Sequence, residues 1–211
     1  MKKLLISLVA VAVCLSVSAK KKDIRWDFGA YAALSYNASF PLPERMVTSG
    51  LGLDLSLANL KFYAAPGTVL SVGFLNFMAD FHYLRKGSMF LSDGVAAPAI
   101  QDARSKAHIG DFSFCFPLGI TQKLNGYWAA SLFVAPGVGF FSYNNDYIEG
   151  GTHHRDAFYP TTGRTGFRLD IKAAVWYQDI GLVVRYRPLS FRTAENGKML
   201  QTVSVGLAFR Y

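Results

Sequence analysis

Eight segments of this chain alternate between apolar and small or polar residues with a period of two, and that pattern restricts the fold more than anything else in the sequence. It is strictest at residues 201–211. There Val203, Val205, Leu207, Phe209 and Tyr211 share one parity, while Thr202, Ser204, Gly206, Ala208 and Arg210 share the other. A two-residue period sends the two sets to opposite faces of an extended strand, whereas a helix would need apolar residues three and four apart.

The other segments repeat the theme. Ile24, Trp26, Ala32 and Leu34 oppose Arg25, Asp27, Ala33 and Ser35, and Leu51, Leu53, Leu55 and Leu57 oppose Gly52, Asp54 and Ser56. The third, about residues 69–83, changes parity. Leu70, Val72 and Phe74 lead its first half and Leu75, Phe77, Phe81 and Tyr83 its second, so a bulge near Gly73 is expected. Phe112, Phe114, Phe116, Leu118 and Ile120 oppose Asp111, Ser113 and Cys115. Trp128, Leu132, Val134 and Val138 oppose Ser131, Gly137 and Gly139. Phe167, Leu169, Ile171 and Val175 oppose Arg168, Asp170 and Lys172, and Leu182, Val184 and Tyr186 oppose Arg185 and Arg187. Pro117 and Pro136 each remove a ladder hydrogen bond and call for local bulges.

Residues 1–19 are set apart. Lys2 and Lys3 precede an apolar run, and Val17, Ser18 and Ala19 supply the small residues of a cleavage site, which together read as a secretory signal peptide. Beyond residue 19 no apolar run reaches the eighteen residues or so that a spanning helix needs. The chain is nevertheless 51% hydrophobic and only 17% charged, greasy for an exported soluble domain. Removing the two lysines of the leader lowers the formal net charge from +8 to +6. A basic exported chain points to anionic lipid headgroups and away from nucleic acid. With Cys14 in the leader, Cys115 is the remaining cysteine, so an internal disulfide is excluded and the thiol reads as a small filler.

The connections decide between a soluble sandwich and a barrel. Residues 36–47, 85–106 and 144–163 make long links, whereas 64–67, 122–126 and 178–179 make short ones, and 190–198 is intermediate. Long and short connections on opposite ends define an up-and-down barrel in a membrane. Residues 20–211 are therefore expected to form an all-β, eight-stranded antiparallel up-and-down transmembrane β-barrel. Trp26, Trp128, Trp176, Tyr177, Phe209 and Tyr211 fall at the turn end and are expected to form an aromatic belt. The parity opposite the apolar set carries Arg25, Asp27, Asp54, Asp111, Arg168, Asp170, Lys172, Arg185, Arg187 and Arg210. An eight-stranded interior is just wide enough for side chains to fill it, so these charges are expected to pair as a plug.

The ending Val203, Val205, Leu207, Phe209 and Tyr211 resembles the C-terminal signal of bacterial outer-membrane barrels, with Tyr211 where a terminal Phe is more usual. The mature chain resembles the small eight-stranded class of these proteins, the OmpX and OmpA-barrel type, including PorT-like barrels. The resemblance implies the outer membrane of a Gram-negative bacterium, and the barrel assembly machinery as a partner that reads the last strand. It brings no catalytic motif.

The loops carry what is left for function. Arg45, Arg85, Lys86, Arg104, Lys106, Arg155 and Arg164 are candidate contacts to lipopolysaccharide phosphates. His82, His108, His153 and His154 fall near the loop end, with Asp146 and Asp156 as orienters if a histidine acted as a base. No serine occupies a recognisable nucleophile context, and no catalytic, cofactor or metal residue is assigned. The expectation is a non-enzymatic barrel whose loops bind lipopolysaccharide or a protein partner, or which assists a secretion assembly. A lipid A acyltransferase or deacylase is the alternative, and a narrow pore the third.

Overall fold

The computed structural model describes residues 24–27, 31–40, 48–74, 76–84, 88–90, 96–98, 106–149, 151–158, 165–189 and 201–210. The leader, Arg45, Arg85, Lys86, Arg104, Arg164 and Tyr211 lie outside them. Eight strands form a closed antiparallel meander. The first four are each in two pieces: β1 (Ile24–Asp27 and Tyr31–Phe40), β2 (Thr48–Ser56 and Asn59–Ala65), β3 (Thr68–Gly73 and Asn76–Leu84) and β4 (Lys106–Cys115 and Leu118–Lys123). The last four are continuous: β5 (Trp128–Glu149), β6 (Thr165–Tyr177), β7 (Ile180–Leu189) and β8 (Gln201–Arg210). Each pairs with its sequence neighbour, and β8 closes the ring on β1 from Gln201 opposite Phe40 to Arg210 opposite Tyr31.

The alternation decides which way each side chain points. Leu34, Phe114, Phe167 and Leu207 face outward and are more than half exposed, whereas Arg168 and Asp170 face the lumen and are fully buried. A soluble sheet protein has the opposite polarity, because water rewards charge outside and apolar groups inside. Here the apolar surface wraps the exterior, as expected for a barrel solvated by hydrocarbon. Phe112 links the outer face laterally, edge-on to Phe81 at 5.7 Å and stacked on Phe140 at 5.6 Å.

The breaks in β2, β3 and β4 lie side by side and form a crease in the sheet. Ser56 pairs with Asn76 above it, and Asn59 with Gly73 below. Between them β2 and β3 each carry one residue too many for their alternation, so Ser56 and Asn59 both face inward, whereas β4 keeps its parity from Asp111 to Thr121. The parity change expected near Gly73 is this bulge. Both prolines sit at the crease. Pro117 occupies the gap in β4, and Pro136 of β5 aims its carbonyl at Phe116 N, 2.9 Å away. A residue's N and C=O point to the same neighbouring strand, so the missing N–H of Pro136 faces the place where β4 is already interrupted.

Short turns close the lower end. Gln178 takes a positive φ of 53° in the two-residue turn between β6 and β7, a conformation that usually selects glycine or asparagine. The Arg210 guanidinium braces this turn, donating to Gln178 O at 2.7 and 3.1 Å. At the other end, most of the long link expected over residues 144–163 is strand among the described residues. β5 runs on to Glu149 and returns through Thr152–Phe158 as an antiparallel hairpin. Gly151, at φ 80°, makes its turn. A Gly-Gly pair between extended runs is a hairpin signal, and Gly150-Gly151 carried it.

Candidate functional site

The centre of the lumen is an ion-pair network, and Asp80 is its hub. β3 presents Asp80 inward just above the crease, fully buried. One carboxylate oxygen accepts from Arg187 Nη2 at 2.5 Å and Arg168 Nη2 at 3.5 Å. The other accepts from Arg185 Nη2 and from Asn37 Nδ2 at 3.0 Å. Arg187 also reaches Asp170 and Asp111, each at 2.9 Å, and Arg168 reaches the same two carboxylates at 2.9 and 3.3 Å. Lower down, Lys172 pairs with Asp54, whose other oxygen accepts from Asn76 at 2.9 Å. Met78 fills the middle, its sulfur 3.4 Å from Arg185 Nη1.

Four carboxylates (Asp54, Asp80, Asp111, Asp170) meet four cations (Arg168, Lys172, Arg185, Arg187), so the plug is neutral when His82 is neutral. Neutrality matters because each ion taken out of water costs several kcal/mol, roughly, and only close pairing offsets it. Space is shaped for it too. A Cβ on Gly52 would stand 2.5 Å from Asp80 Oδ1, so glycine leaves the volume that the carboxylate occupies. These paired side chains fill the centre of the lumen. In planar bilayers the protein is expected to show no stable open-channel steps; regular steps of fixed size would mean that the network leaves a path.

Several expected roles change. Trp176 is not part of a lipid-facing belt: it has the inward parity of Lys172 and Ala174 and is 3% exposed. Its indole N–H donates to Ser131 Oγ at 3.0 Å, and the register places Gly181 opposite it, where a side chain would strike the ring. Arg210 does not join the network. It lies over the Trp176 ring, 4.8 Å from the centroid, with Asp179 3.8 Å away. His82 is not at the outer rim either but fully buried beside Asp80 and Asp111, their ligand-type atoms within 4.8 Å of one another. Both carboxylates there are already held by Arg168 and Arg187, so the positive charge a metal would bring is supplied by guanidinium groups.

Asp80, Asn37, Asn76 and His82 were not anticipated as lumen residues. Asp80, Asn76 and His82 lie on β3 beyond the bulge, where the even positions turn inward, and that switch was the signal available for them.

At the turn rim Trp128 and Tyr177 meet edge to face at 5.1 Å, both exposed, and Phe209 is exposed on the same face. Trp26 stands in β1 with Leu60 opposite; its side chain and those of Arg25 and Asp27 are outside the description. In register Arg25 lies opposite Lys61, and Asp27 opposite Asn59. Along β8, Val203 is half-buried and Val205 and Leu207 are exposed outward. At the loop end Tyr83 meets His108 edge-on at 5.0 Å. Of the loop cations, Lys106 lies opposite Asp146 in register, and Arg155 is exposed on the return strand of the hairpin. His153 Nε2 contacts Asp146 at 2.6 Å, with both side chains open to solvent.

No family model matches the chain, and no curated protein does. Among solved structures it is similar to Ail, the attachment invasion locus protein of Yersinia pestis, in complex with the heparin analogue sucrose octasulfate. The identity is 11% over 87% of this chain and 98% of that one, with a TM-score of 0.44. It is also similar to Neisserial surface protein A, at 10% identity over 90% of this chain and 100% of that one, TM-score 0.38. The N-terminal β-barrel domain of Pseudomonas aeruginosa OprF shows 10% identity over 89% and 100% of the two chains, TM-score 0.31. On its own geometry the chain is a small eight-stranded antiparallel barrel of the membrane type.

Proposed function

We propose that the protein is a non-enzymatic integral barrel of a Gram-negative outer membrane, exported by its leader and inserted by the barrel assembly machinery. Its loop end is the contact surface, for lipopolysaccharide phosphates or a protein partner. The observation that carries this reading is the inverted polarity: an apolar exterior around a central lumen network in which four carboxylates meet four cations, which supports neither a water-filled channel nor a soluble domain. Heat-modifiability tests it. Membrane-fraction protein should migrate fast on a gel when unboiled and slower after boiling, with the band in the outer membrane; a soluble periplasmic protein with no shift would reject it.

The lipid A-modifying reading has one observation in its favour, the His153–Asp146 pair, which has the form of a base and its orienter. Both groups are open to solvent on the hairpin that extends β5. Mass spectrometry of lipid A from cells expressing the barrel should show an unchanged acyl pattern; a lost or added chain would make this the better reading.

A further inference from the structure

Below the central network the lumen holds a chamber of about 430 Å³, the volume of a small-molecule site. Asn76 stands on its wall just above the crease, and Lys123 and Asp179, both exposed at the turn rim, line its other end. It therefore opens toward the turns, at the opposite rim from the loops.

The uncharged polar groups of the wall decide what the chamber can hold. Asn76 is 2% exposed, and its carboxamide nitrogen donates to Asp54 Oδ1 at 2.9 Å and to Leu55 O at 3.0 Å. Both partners are acceptors, so the amide cannot be turned over, and its oxygen is left with no hydrogen-bond partner. Proteins rarely leave a buried acceptor unmet. Such an oxygen repels an anion and holds a neutral donor.

Lower down the wall offers hydroxyls. Ser131 Oγ of β5 accepts from Trp176 Nε1 at 3.0 Å and is hydrogen-bonded to Thr121 Oγ1 of β4 at 2.8 Å. Whichever hydroxyl donates in that bond, the other keeps its own hydrogen for a further acceptor. Ser71 of β3, 8% exposed, adds a hydroxyl with no side-chain hydrogen bond among the described residues. Phe133 of β5 supplies an apolar platform beside these groups. It stands opposite Gly119 of β4, where a Cβ would lie 2.0 Å from the ring, so the glycine leaves room for the ring to lie over β4.

The spacing sets the length of the ligand. In register Asn76 lies opposite Cys115 of β4 and Ser71 opposite Gly119, four residues apart, or about 13 Å along the strand. That is a span for two linked pyranose rings. A sugar presents the matching surfaces: hydroxyls that both donate and accept, and a C–H face that packs on an aromatic ring.

We infer that the turn-side chamber binds a neutral disaccharide. A hydroxyl of one ring donates to Asn76 Oδ1; the other ring meets Ser71 and the Thr121–Ser131 pair, with its C–H face toward Phe133. Saturation-transfer NMR on the full barrel in lauryldimethylamine oxide, a detergent without a sugar headgroup, tests this. Maltose should take up saturation, with a signal that levels off as its concentration rises. Tetraethylene glycol dimethyl ether, an elongated acceptor with no hydrogen to donate, should show none. Asn76→Leu removes the acceptor, and Ala174→Leu fills the chamber from β6 without removing a hydrogen bond. Each should weaken maltose binding at least about tenfold, the scale of one hydrogen bond left unmade. The gel shift shows whether each variant folds; should Asn76→Leu lose it, Ala174→Leu carries the test. No transfer to maltose, equal transfer to the ether, or unchanged affinity in the folded variants overturns the inference.

Discussion

Replacing Asp80 with Ala should lower the unfolding free energy by about 3–5 kcal/mol, the cost of stranding buried charge when one partner is removed. Arg168, Arg185 and Arg187 all donate to this carboxylate, and none has water to fall back on, since each is at most 4% exposed. Asp80→Asn keeps the shape and removes the charge, so it should lose most of the same energy; a cavity effect alone would spare it. Urea titration of the barrel refolded in lipid vesicles gives both numbers. Losses below about 1 kcal/mol for both variants, the value of an exposed pair, would mean that the lumen is wet and the pairs screened.

The second large effect should come from the outside. Val184 faces outward midway along β7, between Val205 of β8 and Ala173 of β6. An arginine at the bilayer midplane costs a membrane barrel about 2–4 kcal/mol, falling to about 0–1 kcal/mol at the interfaces. Val184→Arg is therefore expected to be strongly destabilising in vesicles, and Ile180→Arg, at the turn end of the same strand, nearly neutral. Equal and small effects at the two positions would remove the membrane reading, because a charge on a water-exposed sheet face is cheap.

The strand count, the direction of each face and the position of the bulge were legible because period two is a local property: each residue declares its own side. The failures came where a second consideration was allowed to override parity. Trp176 was grouped with the rim aromatics by its height along the barrel, although its even position on β6, in step with Lys172, had already placed it inside. His82 was grouped with the loop histidines by its distance from the turn, although the shift at residues 74–75 made it a lumen residue. The hairpin at residues 149–152 needed only its two glycines to be weighed as a turn. Partner choice was not legible at all. Nothing in the sequence says that Asp80 rather than Asp111 sits between three arginines, since that depends on the stagger of strands far apart in the chain.

The network has a polarity in sequence. Three of its carboxylates belong to β2, β3 and β4, and every one of its cations belongs to β6 and β7. Within the network, then, all the cations and one carboxylate come from one half of the barrel and the other three carboxylates from the other half. A slip of one residue in either would turn its charges out into hydrocarbon. Closing the sheet in register is what brings the two sets together, so the ion pairs reward the native stagger and penalise the others.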